Sequence, residues 1–169
     1  MSASPTRTQK IVVAVDGSPS SQLALRWAVA QGAATGGEVH AVTAWHLPDV
    51  YGWGAVIDDV DWAENGRTVL EQAIKEALDP TTADRVHRHV VEGHAAAVLL
   101  DAAADADLLV VGSRGHGGFA GMLLGSVSQH LVAHAPCPVV VVRAEARARD
   151  EQPVGVTAAV SSPALGTAR

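Results

Sequence analysis

Six of the sixteen glycines in this 169-residue chain fall between Gly112 and Gly125, directly after an apolar run and directly before a helical pattern. The text Gly112-Ser113-Arg114-Gly115-His116-Gly117-Gly118-Phe119-Ala120-Gly121-Met122-Leu123-Leu124-Gly125-Ser126 reads as glycine, two residues, glycine, nine residues, glycine, serine. Glycine lets backbone N–H groups approach a phosphate without a Cβ in the way, and successive amides in such a loop form an anion-binding concavity. The Ser126 hydroxyl and the amides of Val127 and Ser128 would add the positive end of the following helix. The chemistry implied is phosphate binding. Arg114, the one cation in the loop, fits a phosphate role better than a solvated surface charge.

Other constellations are weaker. His87 and His89, one residue apart, would share a strand face, and His94 is nearby, but no third ligand from cysteine or carboxylate shows a recognised metal spacing. No metal site is expected. Asp58, Asp59, Asp61 and Glu64 lack the order of a calcium loop and suit a helix start, where carboxylates complement the dipole. Trp45, Tyr51, Trp53 and Trp62 surround one strand-to-helix loop and could close over a ligand, although simple packing is the better reading. There is no Gly-x-Ser-x-Gly elbow and no Walker lysine; no lysine follows Lys75. No catalytic residue is assigned. The lone Cys137 lies in an apolar run and reads as a small buried hydrophobe.

The elements that must position the loop follow from apolar periodicity. Lys10 to Val15 is a short Ile/Val run closed by Asp16-Gly17, as in a strand buried on both faces. Ser18-Pro19 supplies an N-cap and a first-turn proline, and Leu23, Trp27, Ala30 and Ala34 continue at helical spacing to Gly36-Gly37. Glu38 to Trp45 is a second strand. A second helix ends near Leu78, with Leu70, Ala73, Ile74, Ala77 and Leu78 on its packing face. Arg85 to Val91, Ala95 to Ala104, Asp107 to Gly112, Ser126 to Ala133 and Pro138 to Val142 continue the alternation. Five strands alternating with four helices predict an α/β fold, an open parallel sheet with helices on both faces. Ligands of such sheets lie beyond the carboxyl ends of the strands, where the strand order reverses.

The glycine spacing, with Asp16-Gly17-Ser18 after the first strand, Gly125-Ser126-Val127-Ser128 after the loop, and Ala135-Pro136-Cys137-Pro138 before four valines, resembles the nucleotide signature of the universal stress protein family from about Gln9 to Arg143. The resemblance implies a flavodoxin-like strand order 3-2-1-4-5 with ATP at the switch between the first and fourth strands. It sets Ala14, Val15 and Asp16 against the nucleoside and Val42 near the adenine edge. Gly112, Arg114, Gly115, His116, Gly117 and Gly118 would surround ribose and phosphates, and Gly125, Ser126, Val127 and Ser128 would hold the phosphate chain. Readings without a ligand stand beside these. Asp16 also fits an Asx turn, and Ser126 with Gln129 fits a capping box. His116 fits a loop or interface residue.

With a net charge of -6 and only two lysines, Lys10 and Lys75, the chain is a poor candidate for nucleic acid. Residues 1–8 read as a flexible terminus, 9–143 as one domain, and 144–169, rich in Ala, Arg, Pro and Ser, as a mobile tail. No segment reads as a leader or a membrane span, so a cytoplasmic protein with no membrane partner is expected. The apolar run Pro138 to Val142, read as a sheet edge, invites a homodimer; the resemblance implies the same pairing. The expected function is an ATP-binding stress-response regulator acting by ligand-controlled conformation, with an unspecified downstream partner. A slow ATPase and a nucleotide-free dimeric interaction module are the alternatives, and Mg2+ or Mn2+ could accompany the phosphates.

Overall fold

The structure, a computed structural model, describes residues 7–46, 61–115 and 123–143. Tyr51, Trp53, Asp58 and Asp59, and the loop residues His116, Gly117 and Gly118, lie outside them, as do the two termini. Ten elements run in order: β1 (Lys10–Ala14), α1 (Pro19–Thr35), β2 (Glu38–Trp45), α2 (Trp62–Ala77), α3 (Pro80–Ala83), β3 (Val86–Glu92), α4 (Ala95–Ala103), β4 (Leu108–Gly112), α5 (Ser126–His134) and β5 (Val139–Val142). The strands form one sheet in the order β3-β2-β1-β4-β5, every pair parallel. Strand order reverses between β1 and β4, as expected. The short α3, capped by Asp79 and opened by Pro80, is the one element the periodicity does not announce, because four residues are too few to show a helical stripe.

Alternation along β1 divides the core between the two faces of the sheet. Ile11 and Val13 pack with Leu25, Leu70 and Ile74 beneath α1 and α2, while Val12 packs with Val98, Leu99 and Leu131 beneath α4 and α5. Burying each such aliphatic side chain contributes about 1.5–3 kcal/mol. The stripe expected on α2 is the buried one: Leu70, Ala73 and Ile74 are enclosed, with Ala77 and Leu78 packed at the margin.

On α1, helical as expected, the residues turned to the sheet are not the Leu23, Trp27, Ala30 and Ala34 series. Ser21, Ala24, Leu25, Ala28 and Gly32 face the sheet, whereas Trp27 is 37% exposed and Ala30 and Ala34 face outward. Small side chains explain the rotation. The helix sits so close to the sheet that a Cβ added at Gly32 would lie 2.9 Å from Val39, and an indole cannot enter that seam. Ser18 caps the helix by accepting a hydrogen bond from the Ser21 amide, Pro19 occupies its first turn, and Gly36 ends it in the left-handed conformation.

The same close approach fixes Gly112 at the end of β4. A Cβ there would meet the Ser20 hydroxyl at 2.6 Å and the Ser20 carbonyl carbon at 2.8 Å. Gly112→Ala is therefore expected to destabilise the protein by about 1–3 kcal/mol through forced separation of α1 from the sheet. Gly125→Ala, whose added Cβ would find no atom nearer than 3.7 Å, should be tolerated much better. Urea unfolding of the two variants beside the parent checks the contrast, and equal losses would contradict it.

Candidate functional site

The carboxyl ends of β1 and β4 meet where the strand order reverses, and the sequence places a turn at each. After β1, Val15 is buried and tied to β2: its amide donates to the Val42 carbonyl at 2.9 Å and its carbonyl accepts from the Thr43 hydroxyl at 2.7 Å. This holds Ala14, Val15 and the buried Val42 side by side. Asp16, exposed, closes the expected Asx turn, its Oδ1 accepting from the Ser18 amide at 2.9 Å and from the Ser18 hydroxyl at 2.6 Å. Gly17 between them has a φ of 83°, which a side chain would strain.

After β4, Ser113 is buried, and its amide donates to the Val142 carbonyl at 2.8 Å. The chain then turns back under the start of α1. The carbonyl of Arg114 accepts the Ser20 hydroxyl in a short hydrogen bond and the Ser18 hydroxyl at 3.4 Å. Gly115 lies so close to Asp16 that an added Cβ would fall 2.5 Å from its Oδ2. The Arg114 side chain is exposed at this mouth. Thus the turn after β1 and the turn after β4 touch directly.

The far end of the loop returns to the same place. The Gly125 amide donates to the Ser113 carbonyl at 2.8 Å, and the Ser128 hydroxyl donates to the Gly112 carbonyl at 2.7 Å. These two bonds fasten the start of α5 to the end of β4. The N-cap of α5 is Gly125, with no side-chain cap, and the first intrahelical amide bond is Gln129 to the Gly125 carbonyl at 2.9 Å. Among the described residues the amides of Ser126, Val127 and Ser128 have no acceptor, so they form a donor group at the positive end of the helix.

The capping box expected from Ser126 and Gln129 does not form. Ser126 is one position inside the helix, where its hydroxyl cannot reach the amides it would cap, and Gln129 turns toward the Leu124 carbonyl at 3.4 Å. The Ser126 hydroxyl is exposed and makes no hydrogen bond among the described residues.

Of the residues singled out in the sequence, Ala14, Val15, Asp16, Val42, Gly112, Arg114, Gly115, Gly125, Ser126, Val127 and Ser128 gather around this junction; His116, Gly117 and Gly118 fall outside the described residues. The motif reading passes over Ser20, Ser113 and Thr43, whose bonds hold the junction together. The serine run Ser18, Ser20, Ser21 after Asp16-Gly17 is the signal for one of these, Ser20, but a helix cap already explains it.

Histidines cluster elsewhere. His40 stacks on His87 with ring centroids 4.6 Å apart and sets its Nδ1 3.0 Å from Nε2 of His89, with Glu38 beside it. Burial, reinforced by His87 and Lys10, holds the His40 pKa below the usual imidazole range; burial and His87 do the same for His89. The partners missing from the spacing around His87 are supplied by the neighbouring strand. Burial likewise pushes the Cys137 thiol up, consistent with an unreactive packing residue. No described helix is long and apolar enough to cross a membrane.

Comparison with known proteins places this geometry in context. The sequence pattern of the Universal stress protein family matches residues 7–143. A universal stress protein of Mycobacterium tuberculosis is 37% identical over 149 residues, covering 80% of this chain and 48% of its own length. The chain spans about half the length of the curated relatives it matches. Among solved structures, UspA of Lactobacillus plantarum superposes with a TM-score of 0.67 at 25% identity, covering 82% of this chain and 99% of its own. A universal stress protein in complex with cAMP superposes with a TM-score of 0.57 at 28% identity, covering 81% and 98%.

The two serines near the junction differ in role, and stability separates them. Ser18→Ala removes a helix cap together with bonds to Asp16 and Arg114, and should cost about 1–2 kcal/mol. Ser126→Ala removes an exposed hydroxyl that caps nothing and should stay within about 0.5 kcal/mol of the parent. Thermal unfolding of both variants is the check; a comparable loss at Ser126 would restore the capping box.

Proposed function

The chain belongs to the universal stress protein family, and from that premise we propose that it binds ATP at the junction of β1, β4 and α5 and acts as a ligand-controlled regulator of the stress response. The observation that carries the proposal is the convergence of the Arg114–Gly115 turn with the unpartnered amides of Ser126 to Ser128, on the side of the sheet where the strand order reverses. Helix-start amides beside the exposed Arg114 suit a phosphate cradle. The relative solved with cAMP supports an adenine nucleotide in this fold.

In this reading the main-chain layer Ala14, Val15 and Val42 receives the nucleoside, with Asp16 at its edge. Gly112 and Gly115 allow the backbone to approach, together with Gly117 and Gly118 of the loop and His116 between them. Arg114, Gly125, Ser126, Val127 and Ser128 meet the phosphates, with Mg2+ or Mn2+ as an accompanying ion. These groups bind ground-state ATP as readily as a transition state, and uniform binding does not speed the chemical step. ATP therefore serves as a bound ligand that stabilises one conformation of the folded chain for a partner to read.

We also propose a homodimer through β5. The sheet order makes β5 an edge, and its four valines are only half-buried. Val132 on α5, the helix that precedes β5 in the chain, is 51% exposed. Such an edge is covered by pairing with a second copy. The site of action is the cytoplasm, without nucleic acid or membrane as partner.

Titration calorimetry with ATP and, separately, cAMP tests the binding reading. One ATP per chain is expected. Gly115→Ala should weaken ATP binding at least about tenfold, or ~1.4 kcal/mol, because the new Cβ drives the Asp16 carboxylate out of place. Phosphate release in a single-turnover assay should stay well below roughly 1 s⁻¹. Absence of binding in the parent protein, or unchanged affinity in the variant, would remove ATP from this junction. For the dimer, sedimentation should give twice the chain mass at micromolar concentration and a single chain for Val141→Lys; a monomeric parent would contradict the pairing.

A further inference from the structure

At the opposite end of the sheet, a second group of ligands faces α4. Parallel pairing sets His40 beside His87 and Val42 beside His89, while Glu38 stands two residues before His40 on the same strand face. Glu38, His40 and His87 each offer a ligand atom, and the three atoms lie within 4.8 Å of one another. We propose that Glu38, His40 and His87 bind a divalent transition metal of the zinc type, independently of the nucleotide junction.

Three features of the cluster support it. First, the donor set of two imidazoles and a carboxylate is a recurrent zinc set that leaves a fourth position for water or another ligand. Second, His40 presents its two ring nitrogens in different directions: Nδ1 to His89 at 3.0 Å, and Nε2 to the Glu38 carboxylate at 3.8 Å. When Nδ1 carries the proton and donates to His89, the Nε2 lone pair faces the carboxylate, and a cation between them satisfies both. Orientation of a ligating histidine through its other ring nitrogen is the usual outer-shell arrangement.

Third, the exposed ligands can turn to meet an ion: the His40 and His87 rings stack with their planes 16° apart, so the His87 ring rotates out of the stack to bring a nitrogen onto the ion. Ligand atoms around a tetrahedral ion stand about 3.3 Å apart, as bonds of about 2.0–2.1 Å require. Glu38 and His87 are exposed, so side-chain rotation can close the remaining distance. Lys10, whose charge acts on His40, is directed to Asp105 at 2.7 Å. A cavity of about 300 Å³, lined in part by His40, His89, Asp101 and Glu92, opens beside the cluster and gives the fourth position access. A bound ion would join β2 to the exposed edge strand β3.

Zn2+ titration of the full chain, without nucleotide, tests the proposal. Two other imidazole pairs, His46 with His94 and His130 with His134, are removed beforehand by His94→Ala and His134→Ala. In that background one Zn2+ per chain should bind saturably and raise the unfolding temperature. Adding His87→Ala or Glu38→Gln, both at exposed positions, should weaken binding at least tenfold and abolish the thermal shift, with circular dichroism confirming that each variant is folded. Absence of saturable binding in the background protein, or affinity unchanged by both substitutions, would overturn the site.

Discussion

The structure at the candidate site depends on one contact: the carbonyl of Arg114 held by the hydroxyls of Ser20 and Ser18. It joins the first turn of α1 to the chain leaving β4, two segments nearly a hundred residues apart in sequence. The glycines of the junction lie close around it. Gly112 must lack a Cβ because Ser20 has moved in to make the contact, Gly115 is thereby brought against Asp16, and Gly125 is drawn back to Ser113. A hydrogen bond between neutral groups contributes only about 0.5–1.5 kcal/mol net. Its importance here is positional, since it fixes the Arg114 backbone beside the first turn of α1.

Placing these groups on a sheet end gives them rigidity that a loop alone lacks. β1 and β4 are the two innermost strands around the reversal, with Ile11, Val12, Val13, Leu109 and Val110 excluded from water. The helix α5 is fastened to β4 through Gly112 and Ser113, so its positive end cannot swing away without breaking hydrogen bonds to the sheet. At the other end of the strands the imidazole cluster lies on the half-exposed β3 edge, where side chains can move to meet an ion. Opposite ends of one sheet thus differ in stiffness, the β1–β4 end being the more firmly held.

Much of this was legible in the residues. Runs such as Ile11 to Val13 and Leu108 to Val111 can satisfy their burial only in a sheet covered on both faces, and the Asp16-Gly17-Ser18-Pro19 and Gly125-Ser126 boundaries mark where strand gives way to helix. On α1, periodicity identifies which residues could share a stripe, while the depth of the seam decides which stripe is buried. Small residues won over Leu23 and Trp27 there. The role of Gln129 was misread for a related reason: a capping box depends on which residue is the last outside the helix, and the Gly125 to Ser113 bond moves that boundary by one. The grouping of His40 with His87 was invisible for lack of register, since residues on neighbouring strands have no fixed separation in sequence.

The central claim is that nucleotide is held at the junction of β1, β4 and α5. Amide hydrogen exchange of the full chain, measured by mass with and without ATP, tests it most directly because it reads the proposed donors themselves. The account predicts slower exchange with ATP in peptides covering Ala14 to Ser20 and Gly112 to Ser128, and none in peptides confined to β3. Protection confined to other segments, or no protection at saturating ATP, would contradict it.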